Sequence, residues 1–304
     1  MKGLRYDGRV AVITGAGRGL GRAYSLLLAS RGAKIIVNDN GVSRHGEGSD
    51  AGPAQEVVQE IRKAGGEAVA VIDSIASPDG AKAIIDAAVK QYGRVDILIH
   101  SAGINRAIPL RDMTWEQFSA ILGVHLHGAF HLVHAAMPIM CDAGYGRMVL
   151  TSSIAGLYSQ SNLAAYAVSK AGLIGLSHTI AHEGAPYGVT CNAIIPSAVT
   201  RLSEGRDTSS FPDTMTPDTV APAVAWLVHE NCKSTGEIYV MLAGRVARAF
   251  VAETVGAFRK HWTIEQVAEQ LDEIESAKTL KIFQPYPSGF MDHLEYSFKM
   301  NAPK

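Results

Sequence analysis

The 304-residue chain is short of several things that would place it elsewhere. It has three cysteines, Cys141, Cys191 and Cys232, too far apart for a disulfide framework or a zinc pattern, which points to a reducing, intracellular compartment. An excess of one charge is missing too: 28 basic against 29 acidic side chains leave no clustered basic face, and no nucleic acid is expected as a partner. No uninterrupted apolar run reaches about eighteen residues, and the N-terminal MKGLRYDGRVAVITGAG lacks a signal-peptide core. The C-terminal NAPK matches no organelle address. No membrane association and a cytoplasmic location are the expectation.

What is present has a regular rhythm. The segments 9–15, 34–39, 67–74, 95–103, 146–153, 187–196 and 237–244 are short apolar or β-branched runs that read as buried strands. Between them lie stretches such as GRAYSLLLASRGA and AKAIIDAAVKQYG, apolar at helical spacing with glycine just past the end. Near-continuous apolar strands alternating with helices predict a parallel sheet covered on both faces. Two parts fall outside the rhythm. Residues 40–53 form a Gly/Ser-rich loop longer than a usual strand-to-helix link. Beyond Gly244, WTIEQVAEQLDEI shows a capping box at Thr263 and Gln266, with Ile264, Val267, Leu271 and Ile274 on one helical face. The reading is one α/β domain over residues 1–244 and a C-terminal helical extension over 245–304, packed on the domain or on a partner subunit.

After the first strand comes Thr14-Gly15-Ala16-Gly17-Arg18-Gly19-Leu20-Gly21, opening into a helix. The G-x-G-x-x-G dinucleotide fingerprint fails because Leu20 holds the third glycine's place; T-G-x-x-x-G-x-G fits, with Gly15, Gly19 and Gly21. Small residues let the backbone approach a pyrophosphate, whose charge meets the free N–H groups of the helix start. Asp39, eighteen residues past Gly21, can accept from a ribose diol and would repel a 2′-phosphate, favouring NAD over NADP. Arg18 pulls the other way, because a cation in the loop can serve a phosphate.

Tyr166 and Lys170 form Y-x-x-x-K in a helical stretch and share one face. A phenol becomes a base near neutral pH only when a neighbouring positive charge favours its phenolate, and Lys170 supplies that charge. Ser153, thirteen residues before Tyr166 at a strand end, can orient a substrate oxygen. The segment Gly123–His134 holds four histidines. His127, His131 and His134 share a face without any companion metal pattern, so a wet helix face or a subunit interface is the reading and no metal is expected. Arg201 and Arg206, in a polar stretch where a substrate lid would lie (200–222), can meet phosphates or can be solvated loop arginines.

Together these residues resemble the short-chain dehydrogenases/reductases, from about Arg5 to Gly244. The resemblance implies a doubly wound Rossmann fold with a mostly seven-stranded parallel sheet, and a catalytic set of Ser153, Tyr166 and Lys170. It implies a cofactor site built on the glycine loop and on Asp73 and Ser74. Ser101, Ala102 and Gly103 join that site (His100-Ser101-Ala102-Gly103 replaces the family's N-N-A-G), as do Pro196, Val199 and Thr200 in place of P-G-x-x-x-T. His125 stands where most members have an asparagine that holds a proton-relay water, so it is either a variant of that role or simply packed. Segments such as VHLHGAF, YGRMVLTSSIAGLY and VAPAVAWLVHENC are similar to the (3R)-hydroxyacyl-CoA dehydrogenase domains of peroxisomal multifunctional β-oxidation enzymes. That likeness implies oxidation of a 3-hydroxyacyl-CoA, or of the 17β-hydroxyl of a steroid, to the ketone. A general carbonyl reductase and a non-catalytic NAD(H)-sensing protein are the other readings. Assembly as a homodimer or homotetramer through the helices 115–137 and 163–181 is also implied.

Overall fold

The computed structural model describes residues 3–43, 45–203, 205 and 207–300. They divide into two compact units, meeting in sequence between Arg248 and Ala249. In the first, strand and helix alternate: β1 (Val10–Thr14), α1 (Gly19–Ser30), β2 (Lys34–Asn38), α2 (Gly52–Lys63), β3 (Glu67–Val71), α3 (Pro78–Tyr92) and β4 (Ile97–His100). Then come α4 (Trp115–Leu122), a π-helical turn (Gly123–His127) and α5 (Gly128–Asp142). β5 (Gly146–Thr151), α6 (Ala155–Tyr158), α7 (Ala164–Gly184), β6 (Val189–Ser197), α8 (Pro217–Leu227), β7 (Ile238–Leu242) and β8 (Arg245–Ala249) complete it.

The sheet order is β3-β2-β1-β4-β5-β6-β7-β8, and β1 to β7 all pair in parallel. This is the doubly wound Rossmann arrangement, with one strand more than the seven expected. β8 follows β7 after a two-residue turn, Ala243 and Gly244, both at positive φ (49° and 81°). Such a tight link joins only antiparallel neighbours, so it adds a strand to the parallel sheet's edge.

Strand alternation divides the core into two layers. Ala11, Ile13, Ile35, Val37, Ile97 and Ile99 face α1, α2 and α8, while Val10, Val12, Ile36, Leu98, Met148 and Leu150 face α3, α5 and α7. Each fully buried Val, Leu, Ile or Met among them contributes about 1.5–3 kcal/mol by leaving water. Helix ends obey local chemistry. Ser77 caps α3 by accepting from Gly80 N, and Gly93 ends it at φ 76°. The continuous helical run Trp115–Asp142 is apolar enough on average to cross a membrane by length and composition. Polar residues interrupt it, and Ile121, His125, Ala129, Leu132 and Ala136 bury one side within the unit.

The second unit carries β9 (Ala252–Thr254), α9 (Ile264–Glu269), α10 (Leu271–Ile274), β10 (Leu280–Ile282) and α11 (Gly289–Lys299). β9 and β10 pair antiparallel, and Phe283 packs on His293 and Tyr296. The Thr263–Gln266 capping box forms as the sequence indicates. The helix it starts stops early: Gln270 leaves helical geometry (φ −103°, ψ 11°), so α9 and α10 are separate. The physical reason is the absence of a buried face, since Ile264, Val267 and Leu271 are all exposed.

Candidate active site

The sheet order reverses direction between β1 and β4, and the carboxyl ends of the neighbouring strands there open a crevice. A cavity of about 420 Å³ fills it, lined by the glycine loop, Asp39, Asp73, Ser74 and the Ser101–Gly103 turn. The loop is glycine for steric reasons. Gly15 takes φ 63°, and a Cβ there would stand 2.7 Å from Ala102 Cα; at Gly21 it would stand 2.3 Å from Gly15 O. α1 starts without a side-chain cap, so its first N–H groups stay available to an anion. Asp39 is held in place from both sides, its Oδ2 accepting from Gly17 N (3.0 Å) and its Oδ1 from Gly41 N (2.8 Å). Asn38 anchors the strand end by donating to Val71 O and Asp73 O.

Beyond the Ser101–Gly103 turn, the π-helical turn delivers His125, buried, with its ring edge-on to Tyr166 at 5.2 Å between centroids. Nε2 lies 2.7 Å from Ile104 O. Nε2 also lies 3.2 Å from Ile104 N, so this one nitrogen meets both the carbonyl and the amide of Ile104. Nδ1 is buried with no hydrogen-bond partner among the described residues. Burial, reinforced by Lys170, holds this imidazole well below its ordinary pKa and therefore neutral. On α7, Lys170 is buried with Nζ 5.5 Å from the Tyr166 ring centroid, and Nζ donates to Thr151 O at 2.6 Å. Burial pushes this lysine down to about 7. α6 fixes α7 against the strand end: Ser152 Oγ donates to Lys170 O, and a Cβ on Gly156 would meet Lys170 C at 2.8 Å. Ser153 Oγ accepts from Ala155 N, which turns the chain from β5 into α6.

Gly15, Arg18, Gly19, Leu20, Gly21, Asp39, Asp73, Ser74, Ser101, Ala102, Gly103 and Thr200 all line the cavity. Pro196 and Val199 do not: Pro196 pairs with Met241 inside the sheet, and Val199 N is spent on Met215 O. Tyr166 and Lys170 also lie off the cavity wall, and His125 and Gly103 connect them to it. Arg201 lines the cavity and donates to Val42 O; Arg206 falls outside the described residues. His127 and His134 are exposed and His131 half-buried, so the outward histidines are separate from His125. Several wall residues escaped sequence reasoning, among them Ile104, Arg106 and four from one loop. Asn40, Val42, His45 and Gly46 come from the long loop 40–53, which Arg106 ties down by donating to His45 O. The loop's length and glycine content were the only signal of that.

A family model described as short chain dehydrogenase matches residues 9–208. The chain belongs to the short-chain dehydrogenase family. This dehydrogenase is 41% identical to peroxisomal multifunctional enzyme type 2 of Drosophila melanogaster, with 98% of the chain and 53% of the relative covered. It thus spans about half that enzyme's length. The full-length Drosophila enzyme's structure matches with a TM-score of 0.81 and 34% identity, covering 98% of this chain and 50% of that one. A short chain dehydrogenase from Mycobacterium avium gives 0.77 and 35%, covering 88% and 94%. A 7α-hydroxysteroid dehydrogenase complexed with NADH and 7-oxo glycochenodeoxycholic acid gives 0.70 and 28%, covering 79% and 95%. The protein is therefore an enzyme of this oxidoreductase family, and membership implies an NAD(P) cofactor and a small-molecule substrate.

Proposed function

We propose that this dehydrogenase interconverts a (3R)-3-hydroxyacyl-CoA and its 3-oxoacyl-CoA with NAD. The observation that carries the chemistry is Tyr166 and Lys170, one turn apart on α7, set beside the β5 end and joined to the glycine-lined cavity through His125. The glycine cradle, the uncapped start of α1 and the fixed Asp39 carboxylate fit a dinucleotide, and Asp39 supports NAD over NADP. Bound NAD supplies the hydride acceptor. Ser153 orients the substrate hydroxyl, and the Tyr166 phenolate takes its proton as the carbinol hydrogen leaves with its electron pair. Reduction runs the same steps backwards, with Tyr166 giving the proton. The ammonium of Lys170 favours the phenolate, and His125 Nδ1 holds a relay water that returns the proton to solvent.

The acyl-CoA substrate is supported by kinship with peroxisomal multifunctional enzyme type 2 across nearly the whole chain. The similarity to a 7α-hydroxysteroid dehydrogenase favours a second reading, a 17β-hydroxysteroid or general carbonyl substrate on the same residues. On this proposal residues 1–244 are the dehydrogenase domain, 245–304 its extension, and the assembly a homodimer or homotetramer. The test is NADH-dependent turnover of a 3-oxoacyl-CoA series against 17-ketosteroids and simple ketones, with Tyr166→Phe as control. Highest kcat/KM on the acyl-CoA, and its loss in the variant by about 100-fold or more, are expected. Undiminished turnover in Tyr166→Phe would sink the mechanism, and preference for a steroid would move the substrate.

A further inference from the structure

His100 stands in a bonding network that the proposed reaction leaves unused. It is the last residue of β4 and the register partner of Thr14, the last residue of β1. The pair therefore closes the sheet at the boundary where the cavity opens. Alternation turns both side chains to the face of Val12 and Leu98, toward α5 and α7. There the imidazole is fully buried, with Nδ1 3.1 Å from Thr14 Oγ1 and Nε2 3.0 Å from the backbone oxygen of His125.

The proton positions follow from the partners. A carbonyl only accepts, so Nε2 carries the ring hydrogen and donates to His125 O. In the neutral ring Nδ1 is then an acceptor, and its donor is the Thr14 hydroxyl. Thr14 Oγ1 in turn accepts from Ser101 N (3.2 Å) and Ala102 N (3.3 Å), which fills its two lone pairs. Donation thus runs one way: from the cavity turn through Thr14 and His100 to the π-helical turn. A doubly protonated ring would add a third donor to Thr14 Oγ1, so the network requires neutral His100. Its two ends are the wall of the cavity and the turn that seats His125 against Tyr166. The two turns already touch closely, since a Cβ on Gly103 would lie 2.5 Å from His125 Cε1.

We propose that His100 is a positioning residue, whose neutral imidazole fixes the Ser101–Gly103 turn against the π-helical turn and so keeps the cofactor wall and Tyr166 in one frame. The inference rests on the NAD(P)-dependent reading of the site. Asparagine at 100 can fill both roles, its amide oxygen accepting from Thr14 and its NH2 donating to His125 O; leucine can fill neither.

The experiment measures the Kd of whichever of NADH and NADPH binds the unmodified chain more tightly, by fluorescence titration, alongside thermal unfolding. It compares His100→Leu, His100→Asn, Thr14→Val and the Leu/Val double variant. His100→Leu and Thr14→Val are each expected to raise Kd by about tenfold or more, because each strands buried polar partners. His100→Asn is expected to stay within about threefold, and the double variant to add no further loss. A folded His100→Leu with unchanged Kd, or equal defects in the Leu and Asn variants, would overturn the proposal. If His100→Leu does not fold, the near-isosteric Thr14→Val decides: an unchanged Kd there overturns it. Cofactor binding is read without alcohol or ketone, so a wrong substrate assignment would leave these results intact.

Discussion

At the scale of single residues, four histidines close together in sequence have separate fates. His125 is sealed against Tyr166 with one bare ring nitrogen, whereas His131 lies on the outward side of α5 beside Phe130. His125→Ala is therefore expected to lower kcat by about tenfold or more while changing cofactor Kd less, and His131→Ala to change neither. Steady-state kinetics with parallel binding titrations check this. Protonation gives a second expectation. Burial, with Lys170 adding to it, pushes His100 down to about 3 from an ordinary 6.5. A folded-state pKa below the unfolded one gives stability that is complete above pH 6.5 and drains away as pH falls toward 3, because the unfolded chain binds the extra proton. Removing that group by His100→Asn should flatten the loss of unfolding free energy between those limits, measured by denaturant titration across pH. An unchanged slope would show that His100 is not the proton acceptor responsible.

At the scale of elements, the decisive piece is the break in regular helix between α4 and α5. Gly128 N reaches back five residues to Gly123 O, and a Cβ on Gly128 would press Ile75 at 3.0 Å. The wider turn carries His125 inward while the histidines that follow stay outward. The strands that support it are packed on both faces, so they tolerate little loss of volume. Leu98, fully buried between the sheet and the helices of the α5 and α7 layer, is a clean probe. Leu98→Ala should cost about 2–5 kcal/mol of stability. A shift below about 1 kcal/mol would mean that this layer can collapse around the gap.

At the scale of the whole molecule, the outer faces of the helices over the β4–β6 half carry exposed apolar groups, with Trp115 72%, Phe130 51% and Val168 49% accessible. On the proposed homo-oligomeric reading these are the contact faces, and Phe130→Glu is expected to lower the sedimentation mass from dimer or tetramer toward monomer. A monomeric unmodified chain would remove that reading. The 249–304 unit is held locally by the β9–β10 pair and by Thr254 Oγ1, which donates to Ile274 O at 2.6 Å.

The sequence by itself determined the strand–helix alternation, the glycine cradle with its carboxylate, and the Y-x-x-x-K spacing. All three rest on local periodicity and on steric needs that neighbouring residues impose. Only the tertiary structure decided the eighth strand, the division at Gln270 and the place of the long loop in the cavity wall. It alone set His125, which the family resemblance already singles out, against Ile104, Gly103 and Tyr166, and joined His100 to Thr14. Those outcomes depend on which distant backbone meets which side chain. The periodicity of 123–134 contains no sign of Ile104 or Gly103, whose approach makes one of its four histidines part of the site.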